Sequence, residues 1–224
     1  MERQVTMYGP STGTTISRRA YNALTFGMVT VAFLVTWVEY LAVQSGALNA
    51  LLSGGILALI LTFALTIGGI VLMAVGKSKQ SVALSAAGFA LFTLTFGFTL
   101  SLTLVRYPVG TIYYAFLITA CLSGIFLVLG VTFPEVFSRI GGVLMAALLG
   151  LIMVEFVATV FFHANQTWID YLTIVIFCGF LGYDAYWMSA DAPTVPNAIY
   201  YASDIFLDVV NVLIRVLAIL NDDR

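Results

Sequence analysis

Seven long apolar stretches, parted only by short polar joints, constrain what this chain can become: Tyr21 to Val43, Ala50 to Val75, Val82 to Val105, Gly110 to Phe133, Ile140 to Phe162, Trp168 to Met188 and Ala198 to Leu220. Each reaches the roughly 20 residues that a helix needs to cross the hydrocarbon core of a bilayer. The joints are Gln44-Ser45-Gly46, Gly76-Lys77-Ser78-Lys79, Arg106-Tyr107-Pro108, Pro134-Glu135, Asn165-Gln166, and Asp191-Ala192-Pro193 through Pro196-Asn197. Every one holds residues that break or cap helices. The expected fold is an all-α integral membrane protein with seven transmembrane helices. Residues 1–20 read as a polar cytoplasmic N-terminal segment, 21–220 as the seven-helix transmembrane domain, and 221–224 as a short acidic C-terminal tail.

Composition agrees with that reading. Hydrophobic residues make up 61% of the 224 positions and charged residues only 9%, against roughly 25% charged in a soluble domain. Seven spans with short loops use the length, leaving none for a second, soluble domain. The net charge of −2 and the scattered basic residues suggest neither a nucleic-acid surface nor a polybasic lipid-binding stripe. Cys121 and Cys178 both lie inside apolar runs, so no structural disulfide is expected. The first stretch follows Arg18 and Arg19, is too long for a signal-peptide core and has no small-residue cleavage site after it, so it is expected to be retained.

Basic residues orient the bundle. Arg3, Arg18, Arg19, Lys77, Lys79 and Arg139 fall on the side of the N-terminus, while the other side has mainly Arg106 and Arg224. The positive-inside rule then places the N-terminus in the cytoplasm and the C-terminus outside. Trp37 and Trp168 at the outer edge, and Trp187, Tyr200 and Tyr201 at the inner one, suit headgroup level. Glycines such as Gly68, Gly69, Gly88, Gly142 and Gly182 are read as points of close helix approach, and the Phe-rich run from Phe89 to Phe98 as packing or lipid-facing surface.

An ionised side chain near the bilayer centre costs roughly 2.5–3.5 kcal/mol on insertion scales, so each intramembrane acid needs a partner, a proton or water. The chain has Glu39 in the first span, Glu155 in the fifth, Asp184 in the sixth, and Asp204 and Asp208 in the seventh, which also carries Arg215. In the seventh span Asn197, Tyr201, Asp204, Asp208, Asn211 and Arg215 recur at intervals of three or four and share one helical face. That face belongs against other helices or along an aqueous path. A network that only fixes helix packing would also satisfy the pattern.

At about 1.5 Å of rise per residue, Asp208 lies near the middle of the bilayer and Asp204 one turn closer to the cytoplasm. The sixth and seventh spans run antiparallel, so Asp184 can pair with Asp208, with Asp204 as a third member. Two carboxyls in a desolvated site cannot both ionise cheaply. The pair is therefore a candidate proton sensor. In the outer half Glu39, Glu155 and Arg215 have similar depths, and an ion pair of Arg215 with one or both glutamates is expected, either structural or as an outer gate.

Other chemistry finds less support. His163, the single histidine, has no cysteine or carboxylate at ligand spacing, so a zinc or transition-metal site is not expected. There is no Gly-rich phosphate loop, no Gly-x-Ser-x-Gly elbow, and no lysine in the last span for a Schiff base. Calcium, which takes oxygen ligands, suits Asp184 and Asp208 with Asn211 and waters. No cofactor is required.

Gly182-Tyr183-Asp184, then Ile205-Phe206-Leu207-Asp208-Val209-Val210-Asn211 and the tail Asn221-Asp222-Asp223, resemble the Bax inhibitor-1 family, also called the transmembrane Bax inhibitor motif family. The resemblance runs from about Arg18 onward. It implies seven helices with the last at the centre of the bundle. Bacterial members are pH-sensitive calcium leak channels in which two aspartates, one on each of the last two helices, exchange a proton to control opening; by motif these are Asp184 and Asp208. Family members often have a basic residue at the cytoplasmic end of the second helix that latches onto the sixth-helix aspartate, and Lys77 is the counterpart. They often carry a Leu-Arg pair after the last motif, whereas here Arg215 comes earlier and Ala218 follows Leu217. An acidic residue that some members have in the second helix is missing, and Asp204 is additional.

The reading that results is a pH-sensitive calcium leak channel, not an enzyme, in a bacterial inner membrane, with calcium ions, protons and the lipid bilayer as its partners. A regulatory membrane protein that binds other membrane proteins is the alternative, and would leave the aspartates as packing elements. An intramembrane aspartyl protease fits worse, because such enzymes carry Gly-x-Gly-Asp on the second catalytic helix and a later Pro-Ala-Leu segment, whereas this chain has Phe206-Leu207-Asp208 and nothing similar beyond it.

Overall fold

A computed structural model of the protein describes residues 13–48, 54–158, 160 and 167–222. Arg3 and the rest of residues 1–12, the start of the second stretch at Ala50, the end of the fifth at Phe162, His163, Asn165-Gln166, Asp223 and Arg224 lie outside the described residues. Seven helices follow one another among the described residues: α1 (Arg18–Gln44), α2 (Gly55–Ser78), α3 (Val82–Leu104), α4 (Val109–Thr132), α5 (Pro134–Val157), α6 (Thr167–Ala190) and α7 (Val195–Asp222). No strand occurs among them, although an isolated bridge pairs Thr15 with Thr194.

Local chemistry sets the helix starts. The Ser17 hydroxyl accepts from the Ala20 N–H and opens α1, and Ser81 does the same for α3 through the Leu84 N–H. Two starts differ from the sequence reading. Pro134 and Pro196 were expected in joints, but they lie in the first turns of α5 and α7. A first-turn residue needs no intrahelical N–H donor, so proline begins a helix there as readily as it would end one elsewhere.

Among the described residues, α1 to α6 are each long and apolar enough to cross a membrane. The chain was expected to supply seven such helices. With 28 residues, or about 42 Å of rise, α7 has the length, but Asp204, Asp208 and Arg215 lower its apolarity. It packs against α1, α2, α3, α4 and α6, and Ala198, Ile205, Phe206, Val210, Val212, Leu213 and Leu217 on it are all almost fully buried.

The solvent logic is that of a lipid-soluble body. Ile56 and Leu57 at the start of α2 are each 75% exposed and Val143 on α5 is 69% exposed, while Asn197 and Asp208 on α7 are buried. Apolar side chains turned outward cost nothing in hydrocarbon, and polar ones turned inward are kept out of it. Helix contact in lipid rests on close packing, and two glycines make the closest seam. A Cβ on Gly88 of α3 would stand 2.7 Å from the Gly69 carbonyl of α2, and one on Gly69 would stand 2.9 Å from the Gly88 carbonyl. Gly142 faces open space and Gly68 has only Leu91 at 3.9 Å, so neither makes the close approach expected of it.

Candidate functional site

Asp184 stands near the C-terminal end of α6, where two glycines bring the chain close together. A Cβ on Gly182 would collide with the Phe137 ring of α5, and a Cβ on Gly130 of α4 would collide with the Gly182 carbonyl. This packing holds the following turn of α6, and Asp184 with it, against α7. Asp208 comes from the middle of α7, and its carboxyl lies within hydrogen-bonding reach of the Asp184 carboxyl. Asp208 is only 5% exposed, and its Oδ2 is buried without a hydrogen-bond partner. A stranded carboxylate oxygen beside a second carboxyl calls for a donor, and a proton held between the two supplies one.

Asp204 lies one turn nearer the start of α7. It is close enough to the Tyr200 hydroxyl and to Asp184 to interact with both. Asn211, expected to join the acids, donates its side-chain amide to the Leu207 carbonyl at 2.8 Å. That N–H is therefore committed within its own helix.

Lys77 corrects an expectation. The resemblance implied a latch from Lys77 to Asp184, but the Lys77 ammonium forms its ion pair with Asp191, just beyond the end of α6, at 3.1 Å. It also donates to the Tyr201 hydroxyl at 2.9 Å, and that hydroxyl donates to the same oxygen, Asp191 Oδ2, at 3.0 Å. The rings of Tyr200 and Tyr201 flank the ammonium, with centroids at 4.4 and 4.1 Å. The reason is reach: α2 ends at Ser78, level with the α6–α7 joint, so the acid in the joint meets the ammonium before Asp184 does. Tyr200 stands between the two groups, since its ring lies beside Lys77 and its hydroxyl near Asp204.

The same joint is tied from other sides. The Arg18 guanidinium donates to the Met188 and Asp191 carbonyls at 3.2 and 2.6 Å. Gln80, at φ 51° in the turn after α2, donates to the Asn197 side-chain carbonyl at 3.0 Å, and the Ile16 N–H donates to the Pro193 carbonyl at 2.8 Å. The segment before α1, the end of α2 and the α6–α7 joint thus close one face of the bundle together.

On the opposite side, Arg215 spans two acids. It donates to Glu155 at 2.9 Å and to Asp170 at 2.8 Å. Glu155 was expected; Asp170, in the first turn of α6 beside Trp168, was overlooked although its depth matches that of Arg215. Glu39 does not join them. Its carboxyl lies beside Gly97 of α3, where a Cβ would stand 2.5 Å from Oε2, and that oxygen has no hydrogen-bond partner. The first helix meets α3 and α7 but its Glu39 face is turned toward α3, away from the α5–α6 side that Arg215 occupies.

Among the described residues, no three His, Cys, Asp or Glu side chains are arranged to hold a metal ion. Asp184 and Asp208 alone supply fewer than the six to eight oxygens that calcium takes.

A family model described as "Inhibitor of apoptosis-promoting Bax1" matches residues 14–224, nearly the whole chain. No curated protein and no solved structure matches the chain.

Proposed function

The chain belongs to the Bax inhibitor family, and from that premise we propose that it is a pH-sensitive cation leak channel, with calcium as the permeant ion and the Asp184–Asp208 pair as its proton-responsive element. One observation carries the reading: the two carboxyls face each other at hydrogen-bonding reach while Asp208 Oδ2 stays buried and unbonded. With one proton between them the carboxyls hold α6 to α7. Losing that proton sets two negative charges against each other in a poorly solvated place, which favours separation of the helices and entry of a cation. The family resemblance supplies calcium as the ion.

Packing of α7 against five other helices supports a central position for it in this mechanism. The charges of Arg18, Arg19, Lys77, Lys79 and Arg139 at one face support a cytoplasmic N-terminus, and a bacterial inner membrane is the setting we favour. Protons, calcium and lipid are then its partners, and it carries out no covalent chemistry.

Reconstitution tests the reading. Liposomes holding the purified protein and a calcium-sensitive dye should admit calcium faster than protein-free liposomes, at a rate that changes as pH crosses neutrality. Equal rates with and without protein would rule the channel out.

A further inference from the structure

Most threonines in these helices return their hydroxyl to their own backbone. Thr25, Thr36, Thr62, Thr66, Thr93, Thr95, Thr132 and Thr173 each donate to the carbonyl four residues back, at 2.7 to 3.0 Å. One face of α4 departs from this habit. Thr111, Thr119 and Ser123 are 1%, 1% and 4% exposed, and none of their hydroxyls has a hydrogen-bond partner. They recur at multiples of four, so they follow one inclined ridge that winds about a third of a turn around α4, with the fully buried Ala115 between the first two. The outward side of α4, with Tyr113, Tyr114 and Leu117, is apolar surface. Because α4 packs mainly on α6 and α7, the row lies on the side that turns toward the helices of the acid pair.

Register shows where the row leads. Gly130 of α4 abuts the Gly182 carbonyl of α6, and the two helices run in the same direction. From that contact, Ser123, Thr119 and Thr111 lie about 10, 16 and 28 Å further outward, and Asp170 about 18 Å outward on α6. The row therefore starts above the level of Asp184, passes the level of the Arg215 clasp at Thr119 and ends at the outer rim. Buried hydroxyls without partners are rare in proteins, and a row of them calls for oxygen or water partners that the packed helices around it do not supply.

We propose that Thr111, Thr119 and Ser123 line the outer half of the cation path, as a hydroxyl ladder that replaces part of the hydration shell of a divalent cation between the outer surface and Asp208. The inference rests on the channel reading above and names the surface along which the ion moves. The ladder needs no charge: hydroxyl oxygens are hard ligands of the kind calcium accepts, weak enough to release it to the next rung.

Two measurements on the full-length protein in liposomes test this. In the first, Thr119→Val should lower calcium flux about fivefold, the rate equivalent of one lost hydrogen-bonding group, while Thr119→Ser restores it. In the second, Thr119→Cys and Ser123→Cys, each in a Cys121→Ala background, should react with a charged, membrane-impermeant thiosulfonate, and the lipid-facing control Leu117→Cys should not. Reactivity does not depend on flux, so it tests the ladder even if the protein passes no calcium. A Thr119→Val protein with unchanged flux, or unreactive thiols at both ladder positions in protein that remains monodisperse, would overturn the proposal.

Discussion

The Lys77 ammonium stands 3.1 Å from the Asp191 carboxylate, which ties the C-terminal end of α2 to the joint between α6 and α7. Tyr201 closes the triangle through its hydroxyl. The tie is therefore made where the two helices that carry Asp184 and Asp208 meet, and any separation of those helices must disturb it.

Lys77→Met should raise the resting calcium leak, because it frees this joint. Both partners are about a quarter exposed, at 26% and 24%, so solvent screens the pair and the loss of stability should stay near ~1 kcal/mol. Tyr201→Phe keeps both charges and should raise the leak less. Flux in liposomes and thermal unfolding in detergent, measured on the same preparations, separate gating from stability. A Lys77→Met protein with an unchanged leak would remove the tie from the mechanism.

Arg215→Ala should be the more damaging change for folding. It leaves Glu155 and Asp170 unpaired at a depth where water is scarce, at a cost of about 2 kcal/mol after allowance for their partial exposure. Asp170→Asn keeps a hydrogen-bond acceptor for the guanidinium and should cost about half as much. Arg215→Lys should rescue poorly, since one ammonium cannot reproduce two divergent guanidinium bonds. The order of unfolding temperatures, wild type above Asp170→Asn above Arg215→Ala, checks this.

The seam between α2 and α3 predicts a contrast between two glycines. Gly88→Ala forces a methyl against the Gly69 carbonyl and the Met73 N–H, each at 2.7 Å from the new carbon, and should destabilise by about 2 kcal/mol. Gly142→Ala meets nothing within 4 Å and should be neutral or stabilising by up to about 1 kcal/mol, since alanine favours helix. Thermal shifts of similar size in the two proteins would contradict the packing described.

Helices were legible in the sequence because hydropathy and helix breakers act locally. The edges of α3, α4 and α6 fall within two residues of the expected ones. Proline at the start of α5 and α7 misled because the same residue ends one helix and begins another. The closeness of Asp184 and Asp208 followed from antiparallel neighbours and matched depth. Asp170, Asp191 and the true place of Glu39 did not, since which neighbour a side chain meets depends on how the helices are arranged around the bundle, and periodicity within a single helix carries no record of that. The α4 hydroxyls were equally silent: Thr and Ser are ordinary in such helices, and only their missing bonds set them apart.

The most direct measurement is the pH profile of calcium flux through liposomes holding the wild-type protein, Asp184→Asn or Asp208→Asn. An asparagine at either place keeps the size of the side chain and supplies an N–H to the facing carboxyl, so the fold should persist while the shared proton is lost. The expected result is a wild-type flux that changes across neutrality and a profile flattened in both variants. Wild-type profiles from both variants would contradict the assignment of Asp184 and Asp208 as the proton-responsive pair.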